Sequence, residues 1–191
     1  MNRGIYFVGG ASASGKSTCT ARLAGEAGVG RIELDGFYNV IRHGVRNESA
    51  LKAVAQDVVA FSLKKLVEAD VGGILEGGWI EPAQAAELAA LQPKRFCPVY
   101  CGYPNADVAA RLEMILRHGK HWLTARDRPT ALAWLEQQVD GSRWYQSECR
   151  AYGIPYFDFS DMDEGSRQLR GHYLAWRTGG PAAPRNQTLP F

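Results

Sequence analysis

The sequence predicts an α/β protein of three layers, a mainly parallel five-stranded sheet with helices on both faces and a helical lid. Three observations carry this reading. Short apolar segments alternate with helix-patterned segments along the chain, the order expected of a parallel sheet. A run of small residues joins the first apolar segment to the first helix. Gly9 and Gly10, Asp35, Glu76 and Gly77, and Tyr103 stand at the ends of four strands, where ligands bind in such folds.

The elements follow in order. Residues 5–8 form a short apolar run ending in Gly9 and Gly10, which suits a buried strand and a turn. Residues 17–27 read as a helix with Ala21, Leu23, Ala24 and Ala27 available to pack. Residues 31–35 are a second strand closed by Asp35, and 36–49 are loop-like. Residues 51–68 have helical periodicity, since Leu51, Val54, Val58, Phe61 and Leu66 share one side.

Residues 73–76 make a third strand, broken by Gly77 and Gly78. Pro82 suits the first turn of a helix reaching about residue 91. Residues 96–101 and 154–159 are the fourth and fifth strands. Between them lie a helix over 107–117, a basic connector over 118–129 and a long helix to about residue 150. A last helix spans 164–177. The segment 179–191 has three prolines and no apolar period, so an irregular tail is expected.

Composition narrows the function classes. The 191 residues suffice for one core and are too few for two ordinary domains. A net charge of +2 is too small to imply nucleic-acid binding by itself. No apolar stretch reaches the length of a membrane span or a signal-peptide core, so a cytoplasmic protein is expected. Cys19, Cys97, Cys101 and Cys149 form no C-x-x-C pair and read as reduced thiols. His118 and His121 have no acidic or cysteine partners at helical spacing and read as surface residues.

Gly10, Ala11, Ser12, Ala13, Ser14, Gly15, Lys16 and Ser17 spell G-x-x-x-x-G-K-[ST], after a strand and opening a helix. Small residues let backbone N–H groups curl around a phosphate, and the helix adds its positive end. Lys16 suits the β- and γ-phosphates of ATP, and the Ser17 hydroxyl suits Mg2+. These residues, with Thr18, form the expected nucleotide site.

Two carboxylates face that site in the expected fold. Asp35 suits a general base that takes the proton of an acceptor hydroxyl. Glu76 tops a buried strand, where a carboxylate needs a cation or a partner. It is read as an acceptor contact or a second ligand of Mg2+, with a salt bridge to a connector arginine as the structural alternative. Arg111, Arg117, Arg126 and Arg128 cluster at the connector. Arg117, Arg126 and Arg128 are read as lid residues that stabilise the transferring phosphoryl group. Phe37, Tyr38, Trp79 and Trp122 offer ring faces near the same rim, the first three beside the acceptor.

On these residues the chain resembles the P-loop kinases of the nucleoside- and nucleotide-kinase group. Residues 10–18 are similar to the phosphate loop of uridine kinases. Asp35, Gly36, Phe37 and Tyr38 resemble the D-D-F-Y stretch of uridine kinases, whose first Asp is the catalytic base. Gly36 stands in place of the second Asp. Residues 73–85 look like the adenylate-kinase stretch G-F-L-L-D-G-F-P-R-T-x-x-Q-A, with Glu76 at the acid and Ile80 and Glu81 where the AMP-holding Arg would be.

The resemblance implies one kinase domain over residues 1–178, an acceptor segment over about 36–70 and a lid over about 117–130. It implies ATP and Mg2+ as cofactors and a hydroxyl-bearing acceptor, nucleoside-like or another small molecule. Related kinases act on sugars, shikimate, antibiotics and nucleosides, and some phage relatives on hydroxymethylated pyrimidines in DNA. Aromatic residues at the rim, with Arg167, Arg170, Arg177 and Arg185 to spare, keep a nucleic-acid acceptor in view. A regulatory NTPase is the other alternative. Against it, no N-K-x-D segment exists, and Asp70 to Gly73 fit D-x-x-G only ahead of their strand.

Overall fold

A computed structural model of the chain describes residues 4–119 and 121–179. Five strands form one sheet: β1 (Ile5–Gly10), β2 (Arg31–Glu33), β3 (Gly73–Glu76), β4 (Phe96–Gly102) and β5 (Tyr156–Asp158). Their order is β2-β3-β1-β4-β5, and every pairing is parallel. The strand at the centre, β1, is the one that leads into the glycine-rich loop. All six of its residues are buried, as a strand covered on both faces must be.

Side chains alternate across β1 and divide the core. Ile5 and Phe7 join Leu75, Phe96 and Tyr100 on one face, beneath α3 (Glu48–Glu68), α4 (Pro82–Leu91) and the end of α6 (Arg128–Tyr152). Tyr6 and Val8 join Ile74, Val99 and Cys101 on the other, beneath α1 (Lys16–Ala27) and α7 (Met162–Thr178). A third cluster lies beyond the sheet's carboxyl edge. There α5 (Val108–His118), a 3-10 turn (Trp122–Ala125) and the start of α6 pack Leu112, Ile115, Leu123 and Leu135 around Ala11 and Tyr103.

Local sequence fixes most helix ends. Asn47, Asp107, Asp127 and Asp161 each accept a backbone N–H in the first turn of the helix they precede. Glu81 and Gln84 form a capping box around Pro82. Gly28, Gly119, Gly153 and Gly179 close four helices in the left-handed conformation.

Two expectations need correction. The second strand stops at Glu33, and Asp35 opens a short helix, α2 (Asp35–Ile41), within the stretch expected to be loop. Leu34 is buried and its N–H still bonds the Glu76 carbonyl at 2.8 Å. The next bond, Phe37 N–H to Leu34 carbonyl, turns the chain. No residue of α2 is buried, so it has no apolar stripe for a periodicity argument to find. The connector is also shorter than expected: α5 ends with Arg117 and His118, as the helix was expected to end at Arg117, but Arg128 already begins α6, which leaves Arg126 between the helices. Of the expected tail, residues 180–191 lie outside the described residues.

Ser142 ties the long helix to the sheet. Its hydroxyl accepts the Tyr103 N–H at 3.0 Å and donates to the Gln138 carbonyl at 2.7 Å, fully buried. Ser142→Ala is expected to strand the Tyr103 N–H and lower unfolding free energy by about 1–3 kcal/mol. An unchanged urea midpoint and slope would show that this bond carries no stability.

Candidate active site

The loop between β1 and α1 is held by close approach to β4. Gly10 has φ +117°, and a Cβ there would collide with the Cys101 carbonyl. The Ala11 N–H bonds that same carbonyl at 3.0 Å. Ala13 (φ +58°) and Gly15 (φ +94°) then take left-handed conformations before α1 begins at Lys16. A left-handed alanine is unfavourable by about 1–2 kcal/mol. Such turns aim successive N–H groups at one point, an anion-binding concavity.

Lys16 is 6% exposed, and its ammonium donates to the Ala11 carbonyl at 3.2 Å. It thus lies along the inside of the loop. Below it, the Cys101 thiol sits 3.6 Å from the Ser14 hydroxyl and 3.5 Å from the Gly9 carbonyl. Burial pushes this thiol up to about 11, against the opposing field of Lys16, so it is a neutral floor for the loop. Tyr103 braces the outer side, its hydroxyl donating to the Ser12 carbonyl at 2.9 Å. Ser17 and Thr18 are exposed at the mouth.

Asp35 approaches this loop across the glycine pair. A Cβ on Gly77 would lie 3.4 Å from Asp35 Oδ1, and one on Gly78 would lie 3.5 Å from the Gly10 carbonyl oxygen. The Gly77–Gly78 turn is therefore the spacer between the carboxylate and the phosphate loop. Its N–H at Gly77 bonds Val8 at 3.2 Å, which fixes it to β1.

Glu76 is 3% exposed at the end of β3. Its Oε1 accepts from Arg31 at 3.1 Å, while Oε2 has no hydrogen-bond partner among the described residues. The partner comes from the neighbouring strand β2, not from a connector arginine. Arg31 also donates to Thr20 of α1 at 3.0 Å and contacts Glu33. This partly buried pair has one satisfied carboxylate oxygen and one open one. The open oxygen suits a hydrated cation, and Mg2+ keeps several waters and takes few protein ligands. No group of three or more acidic, histidine or cysteine side chains forms a fuller metal cage among the described residues.

Tyr38 and Trp79 stack at 4.7 Å with ring planes 15° apart. The Trp79 indole N–H is buried without a partner among the described residues. Phe37 lies on the exposed side of α2. Tyr145 of α6 closes the far side, donating to the Gly78 carbonyl at 3.3 Å. Burial, then the carboxylates of Glu81 and Asp35 among its neighbours, push its phenol up to about 12. The wall opposite the phosphate loop is thus aromatic and acidic.

The arginines divide. Arg111 is buried, lies 4.3 Å over the Tyr103 ring and donates to the Phe159 carbonyl, so it is a brace and not a lid residue. Arg128 pairs with Glu113, and Arg117 donates to the Glu113 carbonyl at 3.4 Å. Arg126 lies 5.6 Å over the Trp122 ring. Among the described residues, no hydrogen bond or ion pair joins Arg117, Arg126 or Arg128 to the phosphate loop in this conformation.

Arg31, Tyr145 and His121 belong to the site's surroundings and were not legible as such. Arg31 gave one signal, a lone base on a strand beside a buried acid. Tyr145 gave none. His121, expected on the surface, is half-buried between Trp122 and Trp134.

No family model matches the chain, and no curated protein matches its sequence. Solved structures do match its fold. Shikimate kinase from Bacteroides thetaiotaomicron superposes with a TM-score of 0.58 at 15% identity, over 88% of this chain and 97% of that one. Shikimate kinase from Acinetobacter baumannii, in complex with shikimate, gives 0.57 at 18% identity, over 93% of each chain. A gluconokinase from Sinorhizobium meliloti 1021 gives 0.56 at 15% identity, over 93% and 98%. At these identities the likeness establishes the fold: the chain has the three-layer α/β fold of P-loop small-molecule kinases.

Proposed function

We propose that the protein is an ATP- and Mg2+-dependent phosphotransferase that moves the γ-phosphoryl group of ATP to a hydroxyl of a small, nucleoside-like acceptor. The observation that carries this is the juxtaposition of a buried lysine inside a left-handed phosphate loop with an exposed carboxylate across the Gly77–Gly78 turn. A phosphate binder alone needs the first part and has no use for the second.

The chain's own groups account for the steps. Backbone N–H groups of residues 12–17 hold the phosphates, and the Lys16 ammonium neutralises charge on the transferring group. Asp35 takes the proton of the acceptor hydroxyl as its oxygen bonds to the γ-phosphorus. The bond from that phosphorus to the β,γ-bridging oxygen breaks, and ADP leaves. Ser17 and the open oxygen of Glu76 would hold Mg2+, which supplies charge neutralisation at the β- and γ-oxygens. Among the described residues Arg126 is the connector arginine with no ion pair, and it is assigned to close over the phosphates. Tyr38, Trp79 and Phe37 line the acceptor side.

The acceptor is read as neutral or cationic in its bound part. Among the described residues, Asp35, Glu81 and the aromatic rings bring negative charge and no positive charge there, and Arg31 is engaged by Glu76. The acceptor differs in this respect from shikimate, the carboxylate in the Acinetobacter baumannii complex.

Lys16→Ala is expected to abolish transfer from labelled ATP while the circular dichroism spectrum and melting temperature stay near those of the wild type. Retained transfer would remove the loop from the reaction. Asp35→Asn is expected to lower kcat by about 10²–10⁴-fold with little change in the KM for ATP. Equal damage to both constants would assign Asp35 to nucleotide binding instead. In a panel of nucleosides, sugars, amino-alcohol antibiotics, shikimate and hydroxymethylpyrimidine DNA, label is expected on a neutral or cationic small molecule. Label on shikimate would overturn the charge argument, and label on DNA would replace the small-molecule reading.

A further inference from the structure

His121 lies at the entrance of the 3-10 turn, and that turn is seated on the phosphate loop. Leu123 is fully buried in the same cluster as Ala11, with Ala13 packed against it. Two residues earlier, the His121 ring accepts the Leu123 N–H on Nδ1 at 3.3 Å and so caps the turn. The rings of Trp122 and Trp134 stand 5.6 and 5.8 Å from it and limit its rotation.

We propose that His121 is a nucleotide-binding residue of the lid, a neutral donor whose Nε2–H bonds the terminal phosphate of ATP. This rests on the kinase reading above. Because Nδ1 accepts a backbone proton, the neutral ring carries its own proton on Nε2. Nε2 points away from the capped N–H. Burial first, and then the field of Lys16, hold the imidazole below the usual histidine range. Protonation would also cost the Leu123 bond. The ring therefore stays neutral near pH 7 and keeps one outward donor.

Packing locates the donor. Lys16 is the residue of such a loop that reaches the β- and γ-phosphates. Leu123 of the turn shares one buried cluster with Ala11, and Ala13 packs against that cluster, so the entrance of the turn stands beside the start of the loop. Arg126 reaches the turn from its other end, stacked on Trp122. Lid closure would thus bring one guanidinium and one neutral N–H to the same phosphate.

The test is calorimetric binding of MgATP and MgADP to the full chain and to His121→Asn. The Asn side chain can still accept the Leu123 N–H, so the cap survives, but it is too short to replace Nε2. MgATP binding is expected to weaken by about tenfold, one lost hydrogen bond, and MgADP binding to change by less than about twofold. In the wild type, the imidazole Nε2 resonance should move with MgATP and not with MgADP. Equal weakening for both nucleotides would make His121 a purely structural cap, and no change for either would remove it from the site. If the wild-type chain bound neither nucleotide, the kinase reading itself would fall.

Discussion

The contact on which the site depends is the approach of β1 to β4 at Gly10 and Cys101. Backbone meets backbone there with no room for a side chain, and the Ala11 N–H locks the approach through the Cys101 carbonyl. That bond starts the turn from which Ala13 and Gly15 enter left-handed conformations and α1 sets off with Lys16 buried. Cys101 contributes twice, by its carbonyl and by a thiol that burial keeps protonated beneath the loop. A charged group in that place would compete with the phosphates.

Around this turn the charges are arranged at two depths. Glu76 and Arg31 form a pair between neighbouring strands, where either alone would be costly to bury. The pair is incomplete, since one carboxylate oxygen remains open. Asp35 stays exposed on a short helix that the buried Leu34 anchors. The inner acid is thus buried with one open oxygen, and the outer acid is exposed. The glycine pair at 77 and 78 lets both sit beside the loop without intervening side chains.

The lid side follows another logic. Its apolar cluster, with Leu123 at the centre, fastens the 3-10 turn to the phosphate loop, while Arg117 and Arg128 are held at the outer surface by Glu113. Position in the sequence made these arginines look equivalent to Arg111 and Arg126. Packing separates all four: one buried brace, two bound to Glu113, and one on an exposed indole. No spacing rule could have sorted them, because each fate depends on a partner distant in sequence.

The sequence by itself determined the strand-helix alternation, the parallel five-stranded sheet and the phosphate loop with its lysine. These follow from local periods, caps and a contiguous motif, in which each residue's role depends on its immediate neighbours. Glu76 was legible as an acid at a strand end for the same reason, and Asp35 as an acid close to one. Tertiary structure alone decided that Asp35 opens a helix, that Arg31 is the partner of Glu76 and that Tyr145 meets the Gly78 carbonyl. It also decided that His121 turns inward. These choices belong to the sheet order β2-β3-β1-β4-β5 and to packing across it, which bring together residues far apart in the chain.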